Sequence, residues 1–194
     1  KVVLKSNNGD MSSSSSSSPN PSVWRALLTS DILSFFGVVC IQGLMMGVIA
    51  TNLFIYLTRE LHGSQSLNGA SLTFTCIAEV PVFFFSGKLI EKLTPHGVVG
   101  LAALCMTVRL GFYAILPFFP SPWFVLPVEL LHGVTYGGMW SAAVAYSADI
   151  APPGFETTFQ GLVSGAYFGF GSGLGSLIGG ICMDEYGGAK TFAV

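Results

Sequence analysis

Six side chains able to hold charge, donate a hydrogen bond or stack on a solute stand inside otherwise apolar stretches: Glu79, Arg109, Glu129, His132, Tyr136 and Trp140. A guanidinium keeps its proton in a protein, and at the centre of a membrane helix it costs about 2.5–3.5 kcal/mol on insertion scales. Arg109, in the middle of Val98–Phe119, is therefore expected to face an acidic partner or a water-filled path. Glu79 and the pair Glu129/His132, on neighbouring stretches, are the candidate partners. The planar fork of Arg109 suits an anionic or hydroxyl-rich solute group. Its other readings are a fixed counter-charge for Glu79 or Glu129 and a purely structural salt bridge.

Glu79 lies near the middle of its stretch, two residues before Pro81. Proline removes one backbone hydrogen bond and frees a carbonyl on the preceding turn. A carboxylate beside exposed carbonyls is a candidate proton or cation carrier; the plain alternative is a protonated Glu making one interhelical hydrogen bond. Glu129 and His132 are three residues apart and share a helical face that Tyr136 and Trp140 continue. Histidine titrates near neutrality, so an adjacent carboxylate makes a proton relay, with the two aromatics lining a solute cavity. The alternative has Glu129 reaching toward the membrane surface and His132 bonded to a backbone group.

Long helices must position these groups. Hydrophobic residues make up 51% of the chain and charged ones 9%, with mean hydropathy +0.65; soluble globular domains carry about 25% charged residues. A net charge of −2 gives no footprint for nucleic acid. Five apolar spans are expected, Asp31–Leu57, Leu67–Leu89, Val98–Phe119, Trp123–Ala148 and Phe159–Met183, each of 22 to 27 residues. At about 1.5 Å per residue each crosses a hydrocarbon core of roughly 30 Å. Helix is the expected form, because a barrel would show alternating segments of about ten residues.

Residues 1–22, with seven consecutive serines, are expected to be a disordered spacer. Five Lys/Arg flank the spacer side and the connection between the second and third spans, against two on the opposite side. That asymmetry places the spacer in the cytoplasm. A start at Lys1 and five spans lead to the expectation of a piece of a longer integral protein of the plasma membrane or an endomembrane. Cys40, Cys76, Cys105 and Cys182 lie in apolar stretches without metal-ligand spacing, so no metal, cofactor or disulfide framework is expected.

The last span carries Gly161, Gly165, Gly169 and Gly173 at strict four-residue spacing, and a second row, Gly171, Gly175 and Gly179, on another face. Small-residue rows allow close helix packing, and several on one helix would also permit the rocking that alternating access requires. Gln42 and Asn52 are expected as interhelical hydrogen-bonding groups, and Asp31 as a helix N-cap.

The run Glu79-Val-Pro81-Val-Phe-Phe-Phe-Ser86-Gly87-Lys88, followed by Val108-Arg109-Leu110, resembles the C-terminal half of major facilitator superfamily transporters. Within that superfamily it looks like the branch related to lactose permease and nucleoside–proton symporters. Leu131-His132-Gly133-Val134-Thr135-Tyr136, Trp140-Ser-Ala-Ala143, Ala151-Pro152-Pro153-Gly154 and Gln160-Gly161-Leu162 are similar to the animal major facilitator superfamily domain-containing protein 6 group. The resemblance implies a twelve-helix protein of two six-helix halves, this chain supplying helices seven to eleven and the start of twelve. Its partner would be the N-terminal half of the same protein. The resemblance also implies proton coupling through a membrane-embedded arginine and a histidine–glutamate pair. Arg109 and His132 match the first two, while Thr135 stands where the permease has its glutamate and Glu129 lies three residues before His132.

These readings converge on an all-α membrane transporter of a small polar solute working by alternating access, not an enzyme. Arg109 and Glu79 are expected to hold the solute, and Glu129 and His132 to respond to protons. The rival reading is a cell-surface receptor or adaptor on a transporter fold, since fold does not fix function.

Overall fold

A computed structural model describes residues 29–193, so the serine-rich spacer lies outside the described residues. The first helix, Ser30–Ile55, starts from an extended Thr29 and runs on through a wide turn at Tyr56–Glu60. Thr29, not Asp31, holds the N-cap position; Asp31 lies in the first turn, where a carboxylate meets the positive end of the helix dipole.

Gln65–Ile115 follows, entered through Ser64, whose hydroxyl accepts from the Leu67 N–H at 3.3 Å. Its helical geometry fails at Thr94, with φ 63° and ψ 160°. The sequence explains the break. Thr94 begins a new helix as its N-cap, its Oγ1 accepting from the Gly97 N–H at 3.4 Å, with Pro95 in the first helical position where its missing N–H costs nothing. Two limbs result, 65–93 and 95–115, and Pro81 sits inside the first. Glu79 and Arg109 each lie fifteen residues from Thr94, about 22 Å along either limb. Both reach the same histidine, so the chain reverses at Thr94 and the limbs run side by side.

The expected Trp123–Ala148 span is not one uniform helix. Pro122–Val125 is a 3₁₀ turn, Leu126–Glu129 one α turn, Gly133–Gly138 a π segment and Met139–Ile150 an α-helix. Pro127 and three glycines (Gly133, Gly137, Gly138) interrupt the regular ladder there. The last long element, Glu156–Tyr186, contains a second π segment, Gly165–Ser172. Ser30–Glu60, Gln65–Phe118 and Glu156–Tyr186 are long and apolar enough to cross a membrane, and the described regular structure is helical throughout.

The first and last long helices pack tightly, through the second of the two glycine rows. Buried positions on the last helix are Phe159, Val163, Tyr167, Gly171, Gly175 and Gly179. A Cβ on Gly171, Gly175 or Gly179 would collide with Cys40 O, Leu44 O or Asn52 Nδ2 of the first helix, and one on Gly43 or Gly47 with Tyr167 O or Ser172 O. Gly161, Gly165, Gly169 and Gly173 lie two positions away, about 200° around an α-helix. Among the described residues a Cβ there would meet nothing within 4 Å. Of the two rows for which packing is expected, the second carries the contact between the first and last helices. A four-residue step overshoots an α turn by about 40°, and the wider π turn in the middle takes the drift back, keeping the buried row in line.

Asn52 turns its amide onto Val48 O of its own helix at 2.9 Å, and neither amide atom of Gln42 finds a partner among the described residues. The interhelical polar contacts here are Thr51 Oγ1 donating to Ser176 Oγ at 2.8 Å and Ser176 Oγ donating to Gly47 O at 3.3 Å. The first helix meets the two limbs far more sparsely than it meets the last helix, and a cavity opens on that side.

Candidate functional site

Two limbs and the broken fourth segment place the charged groups. Gly133 lies so close to the first limb that a Cβ there would run into the carbonyl of Ala78. Its chain neighbour His132 is thereby set against Glu79, with Nε2 to Oε1 at 2.8 Å. From the second limb Arg109 arrives at the other side of the ring, its Nη1 3.0 Å from His132 Nδ1.

Arg109 is 1% exposed and its donors are committed. Nε donates to Tyr113 Oη at 3.1 Å, Nη1 to Thr135 Oγ1 at 2.9 Å, and Nη2 to Glu129 Oε2 at 3.3 Å. Tyr113 in turn donates its hydroxyl proton to Glu129 Oε1 in a short contact. Its backbone carbonyl accepts from the Tyr56 hydroxyl at 3.0 Å, tying the cluster to the first helix. Glu129 is as buried as Arg109, so this pair is closed off from both solvent and lipid. An isolated buried charge would be costly; this one is paired and hydrogen-bonded on nearly every donor.

The histidine tautomer follows from this geometry. A guanidinium only donates, so His132 Nδ1 accepts and the ring proton resides on Nε2, pointing at Glu79. His132 is therefore a neutral link between a cation and a carboxylate. Its ring also stacks on Tyr136, centroids 5.7 Å apart and planes at 24°.

The structure brings Glu79, Arg109, Glu129 and His132 together but couples them differently from the expected Glu129–His132 relay. Glu129 pairs with Arg109 and Tyr113, whereas His132 pairs with Glu79. Three-residue spacing puts Glu129 and His132 on one helical face, yet Glu129 meets only the second limb while His132 bridges both. Tyr136 and Trp140 pack with Tyr167 and Phe168 of the last helix, Trp140 to Phe168 at 5.1 Å. They form an aromatic wall behind the charges and do not line the cavity. Tyr113 is not among the sequence candidates, and Thr135 enters there only as the residue at the permease's glutamate position; both bond Arg109. The spacing from Arg109 to Tyr113, one helical turn, was the available signal.

The cavity, of about 220 Å³, has Met46, Ile49, Leu53 and Phe54 of the first helix along one side and Thr75, Cys76 and Glu79 of the first limb along the other. Arg109, Glu129 and His132 close its inner end. Among the acids there, Glu79 is the accessible one, its side chain 26% exposed against 2% for Glu129. Among the described residues no cluster of metal-ligating side chains occurs.

Comparison with known proteins agrees with this architecture. The chain is 33% identical over 140 residues to the major facilitator superfamily domain-containing protein 6-like of Mus musculus, covering 72% of this chain and 23% of that protein. It is 31% identical over 145 residues to the human counterpart, covering 73% and 24%. It is also 28% identical over 145 residues to a maltose permease of Geobacillus stearothermophilus, covering 74% and 36%. The chain thus spans about a quarter of the length of the first two relatives. No solved structure matches it. With an all-helical build, membrane-length helices and a buried charge cluster already in place, a family match over residues 2–194 completes the assignment: this chain belongs to the MFS_1 like family.

Proposed function

We propose that this chain forms one half of a transporter that moves a small polar solute by alternating access, and that Glu79 is its proton-accepting group. The observation that supports this most is the division of labour between two acids. Glu129 is sealed against Arg109, while Glu79 borders the cavity and is held by a neutral His132. A carboxylate at membrane depth that is reachable yet lacks a cationic partner must take a proton or bind a cation. Arg109 acts in this reading as a positioning residue that fixes the histidine ring, not as the solute's own ligand.

The likeness to a maltose permease is in keeping with a small polar solute. The Lys/Arg asymmetry supports a cytoplasmic serine-rich segment. The test is solute-driven pH change in proteoliposomes of the full-length protein. Glu79→Gln is expected to abolish that change while leaving expression and folding intact. Unaltered proton-coupled uptake in this variant would overturn the assignment.

A further inference from the structure

Resting on the reading of Glu79 above, we propose that the carried solute is a small organic cation with an apolar body, and that this cation and the proton exclude one another at Glu79. The charges around the cavity do not cancel. Arg109 contributes one positive charge and Glu129 one negative charge, in direct contact at 3.3 Å. His132 is neutral by its hydrogen bonds, accepting at Nδ1 and donating at Nε2. Glu79 is left over, so the cluster with Glu79 ionised carries one net negative charge.

Among the described residues around this cavity, an anionic solute finds no available cation. Four N–H groups of Arg109 are already used, on Tyr113, His132, Thr135 and Glu129, and the guanidinium is 1% exposed. A hydroxyl-rich solute fares little better on this side of the cavity. Thr75 donates its hydroxyl to Leu72 O at 2.7 Å, and the facing side is Met46, Ile49, Leu53 and Phe54. Such a cavity is polar at one point and apolar around it. That is the complement of an ammonium or pyridinium head on a hydrocarbon or aromatic body, with the Phe54 ring available for cation–π attraction.

The exchange balances in charge and protons. The cation enters as Glu79 gives up its proton, leaving a carboxylate–cation ion pair, and a proton returning to the carboxylate releases the cation. One positive charge moves in for each moved out, so the cycle is electroneutral and the two passengers travel in opposite directions.

The test uses full-length protein in proteoliposomes, with membrane potential clamped and the lumen acid. The probes are 1-methyl-4-phenylpyridinium and tetraethylammonium, which are permanently charged, and maltose as a neutral comparison. Expected is cation accumulation approaching about tenfold per unit of imposed pH difference, accompanied by loss of lumenal protons and absent in Glu79→Gln. A readout independent of transport comes from Cys76, which is exposed and borders the cavity. With every other cysteine of the full-length protein replaced by serine, Cys40, Cys105 and Cys182 among them, the cations are expected to slow maleimide labelling of Cys76. Proton-coupled uptake of maltose, with neither cation carried nor protecting Cys76, would overturn the cation assignment and leave the transport reading standing. Absence of flux and of Cys76 protection with every probe would overturn both.

Discussion

Gly133 seats its backbone against the carbonyl of Ala78, and the residues beside that contact, His132 and Glu79, are joined at 2.8 Å as a result. A backbone approach this close leaves no room for a side chain, so the charged network depends on a glycine that carries no chemistry of its own. The same network depends on the reversal at Thr94, which returns Arg109 to the depth of Glu79.

Gly133→Ala should therefore impair function by geometry. The added methyl forces the fourth segment off the first limb and opens the Glu79–His132 contact. Proton-coupled flux in proteoliposomes is expected to fall at least tenfold, with Arg109 and Glu129 still paired and the protein still folded. Wild-type flux in this variant would show that the close approach is dispensable.

Removing Glu129 alone leaves a buried guanidinium without its counter-ion. Glu129→Gln is expected to lower stability by about 3–5 kcal/mol, while replacing both partners, Arg109→Met with Glu129→Leu, recovers most of that loss. Glu79→Gln, at a partly exposed position, should cost far less. Unfolding of the purified full-length protein in detergent would separate the three; equal stability of Glu129→Gln and the parent would refute the pairing.

The glycine rows give a paired comparison. Gly175→Ala puts a methyl into the carbonyl of Leu44 and should destabilise the packing of the first and last helices by about 1–3 kcal/mol. Gly169→Ala meets nothing among the described residues and, as far as their fold is concerned, should gain about 0.5–1 kcal/mol from helix propensity. Cross-linking between cysteines placed on the two helices would report which substitution separates them.

Thr94 occupies a backbone region that is essentially glycine's own, at a cost of order 1–3 kcal/mol. Thr94→Gly relieves that strain, and a glycine cap forfeits only a few tenths of a kcal/mol relative to a threonine one. A net rise in melting temperature is expected. A fall would mean that the bond from the Gly97 N–H outweighs the strain.

Composition and span length already determined an all-helical chain of membrane type, because uninterrupted apolar runs leave the backbone no other way to satisfy its hydrogen bonds in lipid. The cost of burying Arg109 likewise required an acidic partner, and local spacing narrowed the candidates to Glu79 and Glu129. Which acid pairs with which base was decided only in three dimensions. Glu129 and His132 share a face, but the reversal at Thr94 brings Arg109 of the second limb to both, and close packing at Gly133 adds Glu79 of the first limb to the histidine alone. The packing row of the last helix was equally a tertiary outcome. Residues 161, 165, 169 and 173 repeat as regularly as 171, 175 and 179, and only the placement of the first helix, with its backbone at Cys40, Leu44 and Val48 against the second row, decides between them. Periodicity fixes which residues lie together on one helix; the relative placement of helices fixes what that face meets.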